Sequence, residues 1–266
     1  MRFCLALLAA LAFASFATAE QVGLTDVTPN VVVFATGSGN VVASIGPDGA
    51  LLIGTPSSDS TAEISNMLAN RTHSSARYLV VFPEDAAHSD GDAGWAKRGA
   101  FVAMQEKALE RLGGHEMGPP KPLPPRLLEL GVDRPHVAFS EVLTFDLNGE
   151  AVHVVHQPPG YSDADSLAHF HVANLVYLGE VFPGDGYPKI DTAQGGKLNG
   201  LINDLHWTGS KMRIVPARGK LASGVDVEAF RNMIVAVKSE VQRMADSGAT
   251  LDQVIAVHPT KEFDAR

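Results

Sequence analysis

Three apolar, β-branched runs occupy Asn30 to Pro56, NVVVFATGSGNVVASIGPDGALLIGTP. The separators TGSGN and GPDG concentrate the Gly, Asn, Asp and Pro of tight turns. This spacing predicts a β-meander at the head of the globular chain. A meander has apolar faces to cover, so the rest of the sequence must supply the covering layers.

The later segments supply them. SSDSTAEISNMLANR has capping types at Ser58 and Asp59, and Ile64, Met67 and Leu68 at helical spacing. RYLVVF reads as a buried strand. A loop rich in Asp, Glu and His follows, then a helix expected around Ala96 to Leu112. GPPKPLPPR, from Gly118 to Arg126, is too proline-rich for helix or central strand and reads as a stiff surface connection. HVAFSEVLTFDL and EAVHVVHQP are expected to be two strands joined by the turn Asn148-Gly149. LAHFHVANLVYLGEV is a further strand pair, GLINDLHWT a short helix, and MRIVPARG a strand and loop. In VDVEAFRNMIVAVKSEVQRMADSG, Asp226 is the expected N-cap. Phe230, Met233, Ile234, Val237, Val241 and Met244 form its apolar stripe, and Gly248 its stop. The order gives two similar halves, each ending in a helix. The expected class is α/β, with two sheets packed together and helices outside. No short-period repeat or low-complexity segment interrupts it.

The first residues stand apart. Arg2, an apolar run from Phe3 to about Phe16, and Ala17-Thr18-Ala19 have the form of a secretory signal. Cleavage is expected after Ala19, leaving residues 20–266 as one domain. The apolar run is too short to span a membrane, which takes ~20 residues. The only cysteine, Cys4, lies inside this segment, so the mature chain is expected to form no disulfide and to offer no thiolate to a metal. Without Arg2, 20 basic residues face 30 acidic ones, a balance of about −10. That charge argues against a nucleic-acid or anionic-membrane partner. No mature segment is apolar enough to span a membrane, and the expected location is periplasmic or secreted.

In this frame the sequence resembles the metallo-β-lactamase fold family. WAKRGAFVAMQEKA resembles the family's helix after the metal loop, and YSDADS its second metal turn. LVYLGEVF resembles its strand ending in Gly-Asp, GYPKIDTAQGGKLNGLINDL the loop and helix of an exported subgroup, and RIVPARG its Pro-Gly-His-Gly loop. The resemblance spans nearly the whole mature chain. It implies an αββα sandwich of two mixed sheets with a metal site at the sheet edges.

Counting from Gly99-Ala100, the resemblance places the family's metal-site positions at Pro83, Asp85, Ala87, His88, Tyr161, Glu180 and Arg218. Of these only His88 keeps the ligand type; Asp85 and Glu180 hold residues that can still ligate. Asp165 keeps the final Asp of the second turn, and the buried Asp that supports the metal loop falls on Gly54. Pro83 and Ala87 carry no donor atom, and Arg218 is a permanent cation. A dinuclear zinc centre needs several ligands converging on ions ~3.5–4 Å apart. The expected substitute is charge for charge: Arg218 paired with Asp85 or Glu180. Tyr161 either donates a hydrogen bond in the former pocket or fills it.

Other features have ordinary readings. Asp85, His88, Asp90 and Asp92 could form a rearranged oxygen-rich site, but the same residues, with Glu84, suit a solvated loop. His169 and His171 share a strand face, which suits either metal or solvent. His153 and His156 point to opposite sides and are not expected to share an ion. TGSGN lacks the following helix of a phosphate cradle and reads as a hairpin. Asn70-Arg71-Thr72 matches a glycosylation sequon.

The expected function is that of an exported fold relative without the dinuclear zinc site, a pseudoenzyme binding an unidentified small molecule or protein. No cofactor is expected. The alternative is an active hydrolase of a small ester, amide or thioester using a sparse site, with one zinc or other divalent ion on Asp85, His88 and Glu180.

Overall fold

The computed structural model describes residues 22–54, 57–72, 75–82, 90–111, 136–206 and 209–264. The expected leader, Pro83 to His88 and the proline-rich connection lie outside these residues.

The meander is present and begins one strand earlier than expected. Strands β1 (Gly23–Thr28), β2 (Val31–Thr36), β3 (Gly39–Ser44) and β4 (Ala50–Ile53) pair antiparallel in sequence order. TGSGN closes the β2–β3 hairpin, with the Thr36 hydroxyl donating to the Gly39 carbonyl at 2.7 Å. Helix α1 (Ser58–Thr72) then crosses to β5 (Ala76–Val81), which pairs parallel with β4. The sequon at Asn70 sits in the last turn of α1.

The region after β5 differs from expectation. Helix α2 (Asp90–Lys97) overlaps the anticipated helix only at Ala96 and Lys97, and Phe101–Gln105 is a strand, β6, parallel to β5. Gly99, at φ +95°, breaks the helix, and Val102, Ala103 and Met104 bury themselves in the sheet. Only Glu106–Arg111, α3, is helical again. HVAFSEVLTFDL is likewise two strands rather than one: β7 (His136–Phe139) ends the first sheet, and β8 (Val142–Leu147) begins the second.

The second sheet continues with β9 (Glu150–His156), β10 (Ser166–Phe170), β11 (Leu175–Gly179), β12 (Arg213–Pro216) and β13 (Ala222–Ser223). Its spatial order is β13-β12-β11-β10-β9-β8, and the first sheet runs β1 to β7 in order. Helix α4 (Leu198–Asp204) precedes β12; α5 (Gly224–Asp246) and α6 (Leu251–Val257) follow β13, with a 3-10 turn at Lys261–Phe263 beyond them. The N-cap of α5 is Ser223, not Asp226. Asp226 is the N3 partner of a capping box, accepting from the Ser223 N–H at 2.8 Å.

Strand alternation sorts the core into layers. Val31, Val33, Leu51, Ile53 and Val80 of one sheet meet Val152, Val154, Phe170, Leu175 and Tyr177 of the other. The outer face of the first sheet buries Phe34, Leu52 and Leu79 against Ile64, Leu68 and Trp95 of α1 and α2. The outer face of the second buries Val176, Leu178 and Ile214 against Leu201 of α4 and Phe230, Met233 and Ile234 of α5. Each fully buried Leu or Ile contributes about 1.5–3 kcal/mol. Two of the turns also lock the sheets together. Asn148, at φ +56° in the β8–β9 hairpin, donates its side-chain amide to the Gly49 carbonyl at 2.8 Å. It accepts from the Asp48 N–H at 3.0 Å. Among the described residues no helix is long and apolar enough to cross a membrane.

Candidate functional site

Parallel neighbours β11 and β12 deliver their C-terminal ends side by side, and the chain beyond each is stitched to the other. The Ala217 N–H donates to the Phe182 carbonyl and the Arg218 N–H to the Pro183 carbonyl, both at 3.1 Å. Buried Asn40 of β3 pins the same loop, donating its amide to the carbonyls of Pro216 at 2.9 Å and Gly219 at 3.0 Å. Gly184, at φ +86°, is obligatory here because a Cβ would strike the Arg218 carbonyl.

This stitching brings Glu180 and Arg218 together. The guanidinium donates from Nη2 to Glu180 Oε2 at 3.2 Å and from Nη1 to Glu180 Oε1, a bidentate pair. The Glu180 side chain is 7% exposed and that of Arg218 27%, so the pair is half-sheltered from water. Asp185 lies 3.7 Å from Arg218 Nε on the solvent side.

Tyr161 and Glu180 line one narrow niche with Phe82, Asp165, Ser166, Leu178 and Val181. Its volume is about 10 Å³, room for a single water at most. Tyr161 is buried, and its main chain is held by Asp165. The Asp165 carboxylate accepts from the N–H groups of Gly160 (3.0 Å), Tyr161 (2.6 Å) and Ser162 (2.8 Å), and from the Ser162 hydroxyl at 2.9 Å. Burial pushes its pKa up to about 6, against the pull of these four bonds. Asp165 therefore serves the shape of the turn. Gly54, where the family's supporting Asp falls, has φ +116°. A Cβ there would lie 2.8 Å from the Asn40 carbonyl oxygen and 3.2 Å from the Tyr177 hydroxyl, so the position is closed to a side chain.

Pro83, Asp85, Ala87 and His88 lie outside the described residues, as do the side chains of Asp90 and Asp92. Of the seven positions, the structure therefore brings Tyr161, Glu180 and Arg218 to one corner. His156 turns toward the loop, its Nε2 3.0 Å from the Asp163 carbonyl, while His153 faces the other way.

Two groups here escaped sequence reasoning. Arg111 of α3 pairs with Asp163 and donates to the Gln194 carbonyl at 3.2 Å. Asp204 is 1% exposed, and among the described residues neither of its oxygens meets a donor. Burial first, and then the Asp165 charge, push its pKa up to about 8. The signal was present: Asp204 falls three residues after Leu201 and beside Leu205, on the inward stripe of α4.

The architecture is that of the metallo-β-lactamase fold. A metallo-β-lactamase from Pontibacter korlensis superposes with a TM-score of 0.62 at 13% identity, over 80% of this chain and 99% of that one. The DIM-1 metallo-β-lactamase superposes at 0.62 with 11% identity, over 80% of this chain and 97% of its own. DIM-1 exposed to ceftazidime gives 0.60 at 10% identity. No family model matches the sequence, and no curated protein matches it significantly.

Proposed function

We propose that this chain is an exported metallo-β-lactamase-fold protein that works without a dinuclear zinc centre, as a binding protein rather than a hydrolase. The observation that carries this reading is the Arg218–Glu180 pair. Where the resemblance places two ligands, a fixed cation is hydrogen-bonded to a carboxylate. Both Glu180 oxygens are engaged, and a Zn²⁺ brought to them would have to displace the guanidinium and then sit beside it. The closed backbone at Gly54 supports the same reading, since it leaves no room for the acid that would steady a metal loop. The described residues thus do not fit a two-zinc centre.

Export rests on the pattern of Arg2, the apolar run and Ala17-Thr18-Ala19. The niche beside Tyr161 is too small for an organic ligand, so a partner molecule or protein is expected to meet this corner from outside, around Asp185 and Arg218. The test is turnover of ester, amide, thioester and β-lactam substrates by the full chain, with and without added zinc. The expected result is no rate above buffer. Turnover abolished by a chelator would overturn the reading.

A further inference from the structure

The other end of the second sheet gathers three imidazoles. From Ser166 at the Glu180 corner, β10 runs roughly 16 Å before it reaches His171, at about 3.3 Å per residue. His169 stands directly opposite His153 of β9. His171 continues the ladder past the end of β10, its N–H donating to the Ala151 carbonyl at 3.0 Å. Its side chain therefore returns to the face that carries His169 and His153. Val152, Val154, Ala168 and Phe170 take the opposite face, inside the sandwich.

The rings are in contact. Centroids of His153 and His171 lie 4.4 Å apart, and those of His169 and His171 4.1 Å. His171 Nε2 is 3.0 Å from His153 Nδ1, and this is the only side-chain hydrogen bond any of the three rings makes among the described residues. Burial, followed by the neighbouring His171 and His153, holds the His169 imidazole below its ordinary pKa.

We propose that His153, His169 and His171 form a surface site for one imidazole-preferring divalent transition ion of the Zn²⁺, Ni²⁺ or Cu²⁺ class. Two nitrogens ligating one ion at 2.0–2.1 Å, between square and tetrahedral angles, lie roughly 2.9–3.4 Å apart. The 3.0 Å separation of His171 Nε2 and His153 Nδ1 has this spacing. On binding, whichever ring donates that hydrogen bond moves its proton to its other nitrogen, and both lone pairs turn to the ion. Among the described residues no group of three or more His, Cys, Asp or Glu side chains is placed, as it stands, to hold a metal ion. His169 completes the set by turning its ring, which already touches that of His171. Asp146 pairs with Ala151 on the same face, at the diagonal position from His153, and is exposed. It or water fills a further position. The site shares no residue with the Arg218 corner, so it stands whatever that corner binds.

Calorimetric titration of Zn²⁺ and Ni²⁺ into the chelator-treated full chain tests the site. His153→Ala, His171→Ala and, as a control outside the cluster, His206→Ala are titrated alongside, and metal-free thermal unfolding shows which are folded. One ion per chain is expected, with affinity lowered roughly tenfold or more by either cluster variant and unchanged by His206→Ala. Where an alanine variant fails to fold, His153→Gln or His171→Gln replaces it. The Cu²⁺ form is expected to show electron-spin coupling to imidazole nitrogen that weakens in His169→Gln. No binding by the wild-type chain, or full affinity in folded His153 and His171 variants, would overturn the proposal.

Discussion

Arg218 grips Glu180 through both guanidinium nitrogens that face it, and the carboxylate is the more buried of the two partners. Removing the arginine leaves a sheltered charge unpaired. Arg218→Ala is expected to cost about 2–4 kcal/mol, below the full price of breaking a wholly buried pair because water reaches the guanidinium. Arg218→Met with Glu180→Leu is expected to regain most of that loss. Arg243→Ala, which breaks an exposed pair with Glu240, is expected to leave the denaturant midpoint in place. Arg213 is a poor comparison, since it donates to the Ala173 carbonyl at 3.2 Å. Equal midpoints for Arg218→Ala and wild type would mean that the pair is incidental.

Asp204 is expected to make stability fall as pH rises. Its folded pKa of about 8 lies above the ordinary 3.8, so the folded state holds the proton more tightly than the unfolded chain does. Its favourable contribution is complete below the ordinary value and is lost as pH rises through about 8. The slope is at most about 1.4 kcal/mol per pH unit. Asp165, raised to about 6, adds in the same direction. Asp204→Asn is expected to flatten the profile and to be more stable than wild type near pH 8. Unfolding midpoints across this range that run parallel for the two proteins would show that Asp204 is not the group responsible.

Gly54 offers a graded test of the closed corner. Gly54→Ala combines positive φ with a backbone oxygen that cannot give way, and is expected to cost about 2–3 kcal/mol. Gly149→Ala carries the positive φ alone, with nothing within 4 Å of its Cβ. It is expected to cost about 1 kcal/mol. Similar losses for the two would remove the steric part of the argument.

How far the sequence carries depends on the range of the interaction. Turns are local, so TGSGN and Asn148-Gly149 were legible as hairpins from their residue types alone. The α5 stripe was legible at Phe230, Met233, Ile234 and Met244, which are buried, whereas Val241, placed on it by the same period, is exposed because the second half of the helix runs beyond the sheet's cover. Phe101–Gln105 was misread because a short apolar run has no decisive period, and only Gly99 marks the break. The passage between sheets at Ser140-Glu141 leaves the apolar alternation almost undisturbed, which hides two strands as one. At the site, the resemblance offered Arg218 either Asp85 or Glu180, and Glu180 is the partner found among the described residues. The meeting of His153 with His169 did not, because it needs the cross-strand register, and a register is a tertiary fact.

Export is tested at the N-terminus. Sequencing the mature protein from the periplasmic or culture fraction is expected to read Glu20 first. A chain retaining Met1 in the cytosol would remove that part of the proposed function.

The central claim is that Arg218 now occupies the charge role of the metal at the Glu180 corner. Zinc titration into chelator-treated His153→Ala/His171→Ala protein tests it most directly, because the histidine cluster is then silent and a response would point to the Glu180 corner. The account predicts no tight binding there. Two sub-micromolar zinc sites per chain in that variant would contradict it.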